Sequence, residues 1–373
     1  ITVQAGQEKV TWNGTVGFCE PGTNGTHITI NGRPTFLRGN LDNCHFPLTG
    51  HPPMDKAGWM RLWNIYKEFG YNHVRYHTWC PPEAAFAAAD EAGIYIQAES
   101  GVWIDGWMKD RVPSSPDGVS DKNPLVRDYI SREMKRIVDA YGHHPSFIMH
   151  CIGNEFGNSD FDTLAKIITE TRTHDGTSRL YSCSTARTLR PDVDDYFVSH
   201  QNPAGSMRGL RGPKTNWNYD AVKKGAPDTA LILHELGQWP IWPNWDEIDK
   251  YTGVVEARNL QGFKKLAGKH NVLSEDVEFQ AATGKFSVLL YKAEMEGSYR
   301  SKTYAGFHSL GLQDYMGQGE ALIGILDMFY DLKPGTITPE EYRQFCSPVV
   351  PLAQFPRYIW TSGETFTAMM QVS

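Results

Sequence analysis

Two glutamates each follow a short apolar run in which a β-strand is expected. Glu155 lies just beyond the run Phe147–Ile152, and Glu235 directly follows the run Leu231–His234. A carboxyl group at the end of a buried strand is partly desolvated, which suits it to exchange protons or to attack an electrophilic carbon. Two such groups facing each other are the pair that glycosidic bond cleavage requires. A helix cap or an ion pair explains either glutamate alone, but it explains the pair poorly.

Eight short β-rich runs can position these carboxyl groups, because most of them are followed by a helical pattern. The expected strands are Thr35–Gly39, His73–Thr78, Ile94–Ala98, Phe147–Ile152, Leu180–Ser184, Tyr196–Ser199, Leu231–His234 and Ala305–Gly311. The expected helices are Ala57–Phe69, Glu83–Ala92, Pro124–Tyr141, Asp162–Arg172, Ala257–His270, Asp276–Tyr299 and Gly319–Phe329.

This alternation predicts an α/β fold, a (β/α)₈ TIM barrel, in which the two glutamates follow the fourth and seventh strands. The active site of such a barrel lies at the carboxyl ends of its strands. A doubly wound sheet is the alternative fold. It usually has fewer strands and a glycine-rich phosphate turn, and no GxGxxG or Walker-type loop follows the first strand here.

Other polar and aromatic residues occur at the same strand ends. Arg75 is expected to hold an acidic partner, with Glu235 as the first choice, and to keep that carboxylate ionised. Tryptophans can stack on a sugar ring, and a few fixed polar groups can bind its hydroxyls. The residues expected to contact substrate in these ways are Trp79, Trp103, Trp239, His77, His200 and Asp314.

Composition excludes several classes of function. The 373 residues carry a net charge of −7 and no long Lys/Arg stripe, so we do not expect nucleic acid as a partner. No apolar run approaches the roughly 18 residues that a membrane-spanning helix needs. The six cysteines show no CxxC spacing, so neither a zinc site nor another cofactor is expected.

The order of several segments between Val16 and Gly324 resembles the catalytic domain of glycoside hydrolase family 2. Ile30–Gly39 is similar to the opening strand of that family, and Tyr71–Arg75 followed by Asp90–Tyr95 is similar to its second and third strand region. His144–Ser146, leading to Gly153-Asn154-Glu155, resembles its acid/base signature.

The resemblance implies a retaining glycosidase. By it, Glu155 is the general acid/base, Glu235 is the nucleophile, and Arg75 is the arginine of the second strand. Asn154 is then the donor to the sugar hydroxyl next to the anomeric carbon.

The sequence departs from the β-galactosidase pattern where substrate identity is set. The first loop, Asn40–His45, lacks the Arg-His pair, and His200 or Gln201 stands where a tyrosine is expected. The eighth strand leads into Asp314 rather than a tryptophan. Glu99 matches a position at which some β-galactosidases hold magnesium, but Ser100-Gly101 follow in place of a histidine ligand, so no metal is expected. The reaction class is therefore better defined than the sugar.

The expected domain limits also follow from the resemblance, since such enzymes carry β-sandwich domains around the barrel. Residues 1–26 are expected to end a preceding β-sandwich or linker, residues 27–350 to form the barrel, and residues 351–373 to begin a following β domain. The family also implies a secreted or periplasmic protein.

The expected function is that of an exo-acting retaining glycosidase on a carbohydrate substrate, with a neutral β-hexose, galactose first, as the glycone. A uronate is the alternative if the basic loop with Arg208, Arg211 and Lys214 binds a carboxylate. Mannosides and arabinosides stay open, as does a non-catalytic carbohydrate-binding barrel. Phosphorylated metabolites are a weaker alternative, because Gly317–Glu320 is a poor phosphate loop.

Overall fold

A computed structural model describes residues 2–11, 16–104, 117–199, 201–202, 205–206, 209–220, 228–316 and 322–373. Its central sheet has eight parallel strands. They are β1 Leu37–Asp42, β2 His73–Tyr76, β3 Tyr95–Glu99, β4 Phe147–Cys151, β5 Leu180–Ser182, β6 Tyr196–Ser199, β7 Ala230–Leu236 and β8 Tyr304–Ser309.

The strands are hydrogen-bonded in the order β5-β4-β3-β2-β1-β8-β7-β6. Backbone hydrogen bonds join the two ends of this order, from the amide of Asp195 to the carbonyl of Tyr181 at 2.9 Å and from Ala186 to Val198. The sheet therefore closes on itself, and the predicted (β/α)₈ barrel is confirmed.

The first strand lies later than predicted, because polar residues in it are buried. Asn40 and Asp42 pair with Val74 and Tyr76 of β2 and are almost fully buried. The side-chain oxygen of Asn40 accepts the amide of Leu312 at 2.7 Å. A buried polar side chain with a hydrogen-bond partner is compatible with a barrel strand, which a hydrophobicity pattern does not reveal.

Helices cover the outside of the barrel. They are α1 Lys56–Glu68, α2 Glu83–Ala92, α3 Pro124–Tyr141, α4 Phe161–Asp175, α5 Arg258–Lys269, α6 Asp276–Tyr299 and the short α7 Pro339–Tyr342, with 3₁₀ turns at Trp245–Lys250 and Leu273–Glu275. The side chain of Asp55 caps α1 by accepting the amide of Gly58 at 2.8 Å. Trp59 and Trp63 of α1 are fully buried.

The helix predicted over Gly319–Phe329 is wrong for residues 322–329, the part of it that the structure describes. Leu326 forms bridges with Gln313 and Leu332 instead. A Cβ on Gly324 would lie 2.3 Å from the backbone carbon of Gln313. The segment thus lies directly against the chain that leaves β8, which leaves no room for a helix.

Small antiparallel sheets flank the barrel. One contains Pro21–Asn24, His27–Ile30 and Arg33–Pro34, and its Ile28 and Ile30 pack with residues from the amino ends of the barrel strands. This hairpin sheet closes the end opposite to the candidate site. Two further pairs join Thr2–Ala5 to Glu8–Thr11 and Pro351–Gln354 to Met369–Val372. The domain limits stay a prediction. Among the described residues, no helix is long and apolar enough to cross a membrane.

Candidate active site

Glu155 lies at the carboxyl end of β4 in a strained backbone conformation. Its φ is +51°, in the left-handed region that non-glycine residues rarely adopt. Its amide donates to the carbonyl of Thr185 at 3.0 Å, which ties it to the chain after β5. The residue is 9% exposed, and Nη2 of Arg187 lies 3.3 Å from its Oε1. Such strain persists where the surroundings enforce it, and it is concentrated at functional sites.

Glu235 shows the same feature at the end of β7, with a φ of +49°. The pairing of β7 with β8 shifts register between Leu233 and Leu236, so this stretch bulges. A bulge changes the direction in which side chains point. The Glu235 side chain is 14% exposed, and its Oε1 lies 2.7 Å from Nε2 of His234. Since a carboxylate only accepts, this short contact makes Nε2 of His234 a donor.

Arg75 connects the strands that carry both glutamates. Its Nε donates to Glu99 at 2.6 Å, and its Nη2 donates to Oδ1 of Asn154 at 2.7 Å and to Thr185 at 2.9 Å. Its Nη1 lies 3.4 Å from Nε2 of His234. The predicted direct partner of Arg75, Glu235, is therefore wrong. Glu99 on the adjacent β3 binds the guanidinium, because the bulge in β7 places His234 between Arg75 and Glu235.

The environment of Glu99 does not fit a metal ion. Its Oε1 accepts from Arg75 and from Gln97 at 3.1 Å, and its Oε2 accepts the amide of Thr78 at 2.9 Å. Both oxygens are thus used by donors, and one donor carries a full positive charge. A divalent cation at this position would meet the guanidinium at close range.

His77 and Trp103 lie beside the two glutamates. Nε2 of His77 is 4.0 Å from Oε1 of Glu235, and its ring meets Trp103 edge-on at 5.4 Å. Trp103 forms a backbone bridge with Asn154. Burial lowers the pKa of His77, and the charge of Arg75 lowers it further. A neutral histidine offers one donor and one acceptor, which suits it to a sugar hydroxyl.

Asn154 has one free donor group. Its Oδ1 accepts from Arg75 and from Thr185, while its Nδ2 is buried and has no hydrogen-bond partner among the described residues. Arginine only donates, so the oxygen and nitrogen of this amide cannot be exchanged. The amide N–H is therefore an unsatisfied buried donor beside Glu155.

The remaining predicted contacts are placed differently. The indole nitrogen of Trp79 donates to the carbonyl of Asp42 at 2.9 Å, and its ring packs on Tyr76. Trp79 is therefore partly buried against the hydrophobic core. Asp314 is 2% exposed, and its Oδ1 accepts from Lys333 at 2.6 Å. This buried ion pair takes Asp314 out of the expected sugar contacts. Trp239 is half-buried beside Gly237, and His200 lies outside the described residues.

Four residues near the glutamates escaped the sequence prediction. Arg187 follows β5, where the same argument from strand ends would have found it. Gln238 donates to Oε2 of Glu235 at 3.3 Å from the loop after β7. Burial and then the charge of Glu235 raise the pKa of Tyr315, which meets His45 edge-on at 5.2 Å. Tyr315 and His45 lie in loops, where no periodic pattern marks them.

The arrangement has the parts of a two-carboxylate hydrolytic site. Glu155 and Glu235 emerge at the same end of the barrel. Arg75 donates to Asn154, which precedes Glu155, and lies beside His234, which donates to Glu235. One carboxyl group can transfer a proton while the other attacks, and Asn154 presents a free donor between the strands.

Comparisons with known proteins identify the family of the barrel. The model for "Glycosyl hydrolases family 2, TIM barrel domain" matches residues 23–224, more than half of the chain. A β-galactosidase from Vibrio cholerae is 29% identical over 130 residues, which make up 35% of this chain and 12% of that protein.

Solved structures share the fold at low identity. A β-glucuronidase from Parabacteroides merdae superposes with a TM-score of 0.63 at 15% identity, over 94% of this chain and 42% of the other. A family 2 β-galacturonidase from Eisenbergiella tayi superposes with a TM-score of 0.60 at 17% identity, over 88% and 55%. The chain therefore spans about half the length of these proteins or less. By its barrel it belongs to glycoside hydrolase family 2.

Proposed function

We propose that this barrel is the catalytic domain of a retaining, exo-acting glycoside hydrolase. Glu155 serves as general acid/base and Glu235 as nucleophile. The observation that carries the proposal is the matched placement of the two carboxyl groups. Each lies at the carboxyl end of a barrel strand, each has a left-handed backbone, and each directly follows a residue that lies beside the fully buried Arg75. Membership of the family supports the same reaction class.

The proposed reaction has two displacements. Glu155 protonates the glycosidic oxygen while a carboxylate oxygen of Glu235 attacks the anomeric carbon, so that the leaving alcohol departs and a glycosyl ester forms. Glu155, now ionised, then takes a proton from water as the water oxygen attacks the same carbon and releases Glu235. Asn154 donates its free N–H to the hydroxyl beside the anomeric carbon, and His234 donates to Glu235 to orient it.

Two alanine variants separate the roles, and each serves as the control for the other. Glu235→Ala should abolish turnover, and azide should restore it with a glycosyl azide of inverted configuration, because azide then makes the only displacement. Glu155→Ala should form the glycosyl ester from activated aryl glycosides, and azide should release it as the product of retained configuration. Substrates with poor leaving groups should be cleaved far more slowly by Glu155→Ala.

Equal losses for both variants on all leaving groups would refute the assigned roles. Unchanged turnover in Glu235→Ala would refute Glu235 as the nucleophile, whereas a natural protein that binds the sugar without turning it over would favour a carbohydrate-binding barrel. The variants belong in the full-length protein, since this chain spans only part of its relatives.

For the glycone we propose a neutral β-hexose, with galactose first. Among the described residues, no lysine lies at the strand ends that form the site, and Arg211 has its guanidinium carbon 5.6 Å from the ring centre of the buried Tyr219. A uronate is the second candidate, because the two solved neighbours named above are a β-glucuronidase and a β-galacturonidase. Arg208 lies outside the described residues.

The ratio of kcat/KM for a β-galactoside and the matching β-glucuronide, before and after Arg211→Ala, decides between the two glycones. A ratio that favours the galactoside in both proteins supports the neutral sugar. A preference for the glucuronide that collapses in the variant would establish a uronate held by Arg211.

A further inference from the structure

Glu294 is a buried carboxylate on the long helix α6. The residue is 1% exposed and lies near the carboxyl end of this helix, five residues before Tyr299. Its Oε2 accepts the amide of Gly237 at 2.8 Å and the indole N–H of Trp239 at 3.1 Å. Its Oε1 accepts the amide of Gly209.

These three donors come from two loops at the mouth of the barrel. Gly209 lies in the loop after β6, and Gly237 and Trp239 lie in the loop after β7. Burying a carboxylate costs several kcal/mol unless hydrogen bonds replace its hydration. The N–H groups that both loops bring to Glu294 therefore offset part of the cost of its burial. The helix thus holds the two loops in one arrangement.

The link to the proposed chemistry is short. Gly237 lies two residues after Glu235, and its φ is +81°. A Cβ at this position would lie 1.9 Å from the ring of Tyr291, one turn before Glu294 on the same helix. The chain that leaves Glu235 therefore packs against the ring of Tyr291 and donates a hydrogen bond to the carboxylate of Glu294.

We propose that Glu294 is a positioning residue for the active site. It joins the loops after β6 and β7, sets the direction of the chain that follows Glu235, and fixes the indole N–H of Trp239. This inference rests on the proposed function, and it adds a residue outside the barrel strands to the site.

Glu296 on the same helix provides a matched control. It is 6% exposed, but its carboxylate binds Lys292 at 2.9 Å and Arg300 at 3.3 Å rather than the three N–H groups that Glu294 binds. A change that follows only from removing a buried carboxylate on α6 should appear in both Glu294→Gln and Glu296→Gln. A change that follows from releasing the loops should appear only in Glu294→Gln.

The test combines kinetics with hydrogen exchange on the full-length protein. An amide nitrogen cannot accept, so Glu294→Gln loses at least one of the three hydrogen bonds. We expect kcat/KM for 4-nitrophenyl β-D-galactopyranoside or the β-D-glucuronide to fall about tenfold to a hundredfold, as misplacement of a reacting group does. The loss should include kcat as well as KM, and Glu294→Asp should restore part of it. Peptides that contain Gly209 and Gly237 should exchange faster.

The proposal is wrong if Glu294→Gln lowers only the melting temperature, with kcat, KM and loop exchange unchanged, or if Glu296→Gln produces the same changes. The hydrogen-exchange result does not depend on any substrate. If Glu235→Ala retained activity while the loops of Glu294→Gln exchanged faster, the proposed function would fail but the role of Glu294 in ordering the loops would stand. Unaltered exchange together with a catalytically essential Glu235 would refute the inference about Glu294 alone.

Discussion

Replacing Arg75 by methionine tests how the barrel holds its two glutamates. Methionine has a similar length but neither charge nor donors, so Glu99 loses the partner at 2.6 Å while it stays buried. Asn154 and Thr185 lose their donor at the same time. The variant therefore changes both the stability of the barrel and the orientation of the amide beside Glu155.

The stability loss is set by the charge that remains. Arg75 and Glu99 are both fully buried, and removing one partner of a buried pair costs about 3–5 kcal/mol. Glu99 keeps hydrogen bonds from Thr78 and Gln97, which favours the lower end of that range. The double variant Arg75→Met/Glu99→Gln removes both charges and should recover about 1–3 kcal/mol relative to the sum of the single losses.

Chemical unfolding followed by tryptophan fluorescence measures these free energies. Arg127→Met is the control, because Arg127 pairs with Asp121 and Asp128 at the surface and its loss should leave the unfolding midpoint nearly unchanged. A loss in Arg75→Met no larger than that of the control would refute the buried pair. Additive losses in the double variant would show that the two charges do not interact.

Three further predictions concern the strand ends and the loop after β7. Burial raises the pKa of Asp42 to about 7, so its contribution to stability is complete below its unfolded-state pKa and is lost as pH rises through 7. The urea midpoint of Asp42→Asn, relative to that of the natural protein, should therefore be higher at pH 8 than at pH 5.5. The same difference in midpoint at both pH values would contradict this. Gly237→Ala should destabilise the protein by about 2–4 kcal/mol, because the added Cβ would overlap Tyr291. Gly93→Ala is the control: Gly93 also has a positive φ, +72°, but there is open space where its Cβ would lie, so this variant should cost about 1 kcal/mol. Equal unfolding midpoints for the two variants would refute the steric argument. His77→Ala should lower kcat/KM for the preferred aryl glycoside by about 1–3 kcal/mol in activation terms, and unchanged kinetics would remove His77 from the subsite.

The sequence by itself was sufficient for the barrel and for the location of the two glutamates at the ends of its strands. Alternation of apolar strands with amphipathic helices is a local signal, and it places Glu155 and Glu235 after the fourth and seventh strands. A closed parallel sheet brings all carboxyl strand ends to one face, so their common location followed from topology. Helix α3 was predicted with its observed bounds, since Pro124 marks its start and its apolar residues recur at helical spacing.

Only the tertiary structure decided which polar groups meet. The partner of Arg75 is Glu99 rather than Glu235, because a bulge near His234 shifts the register of β7. The sequence pattern does not predict this shift. The pairing of Asp314 with Lys333 and the contacts of Glu294 join residues far apart in the chain. Side-chain hydrogen bonds depend on positions within about 0.5 Å, and such positions arise from the packing of the whole barrel.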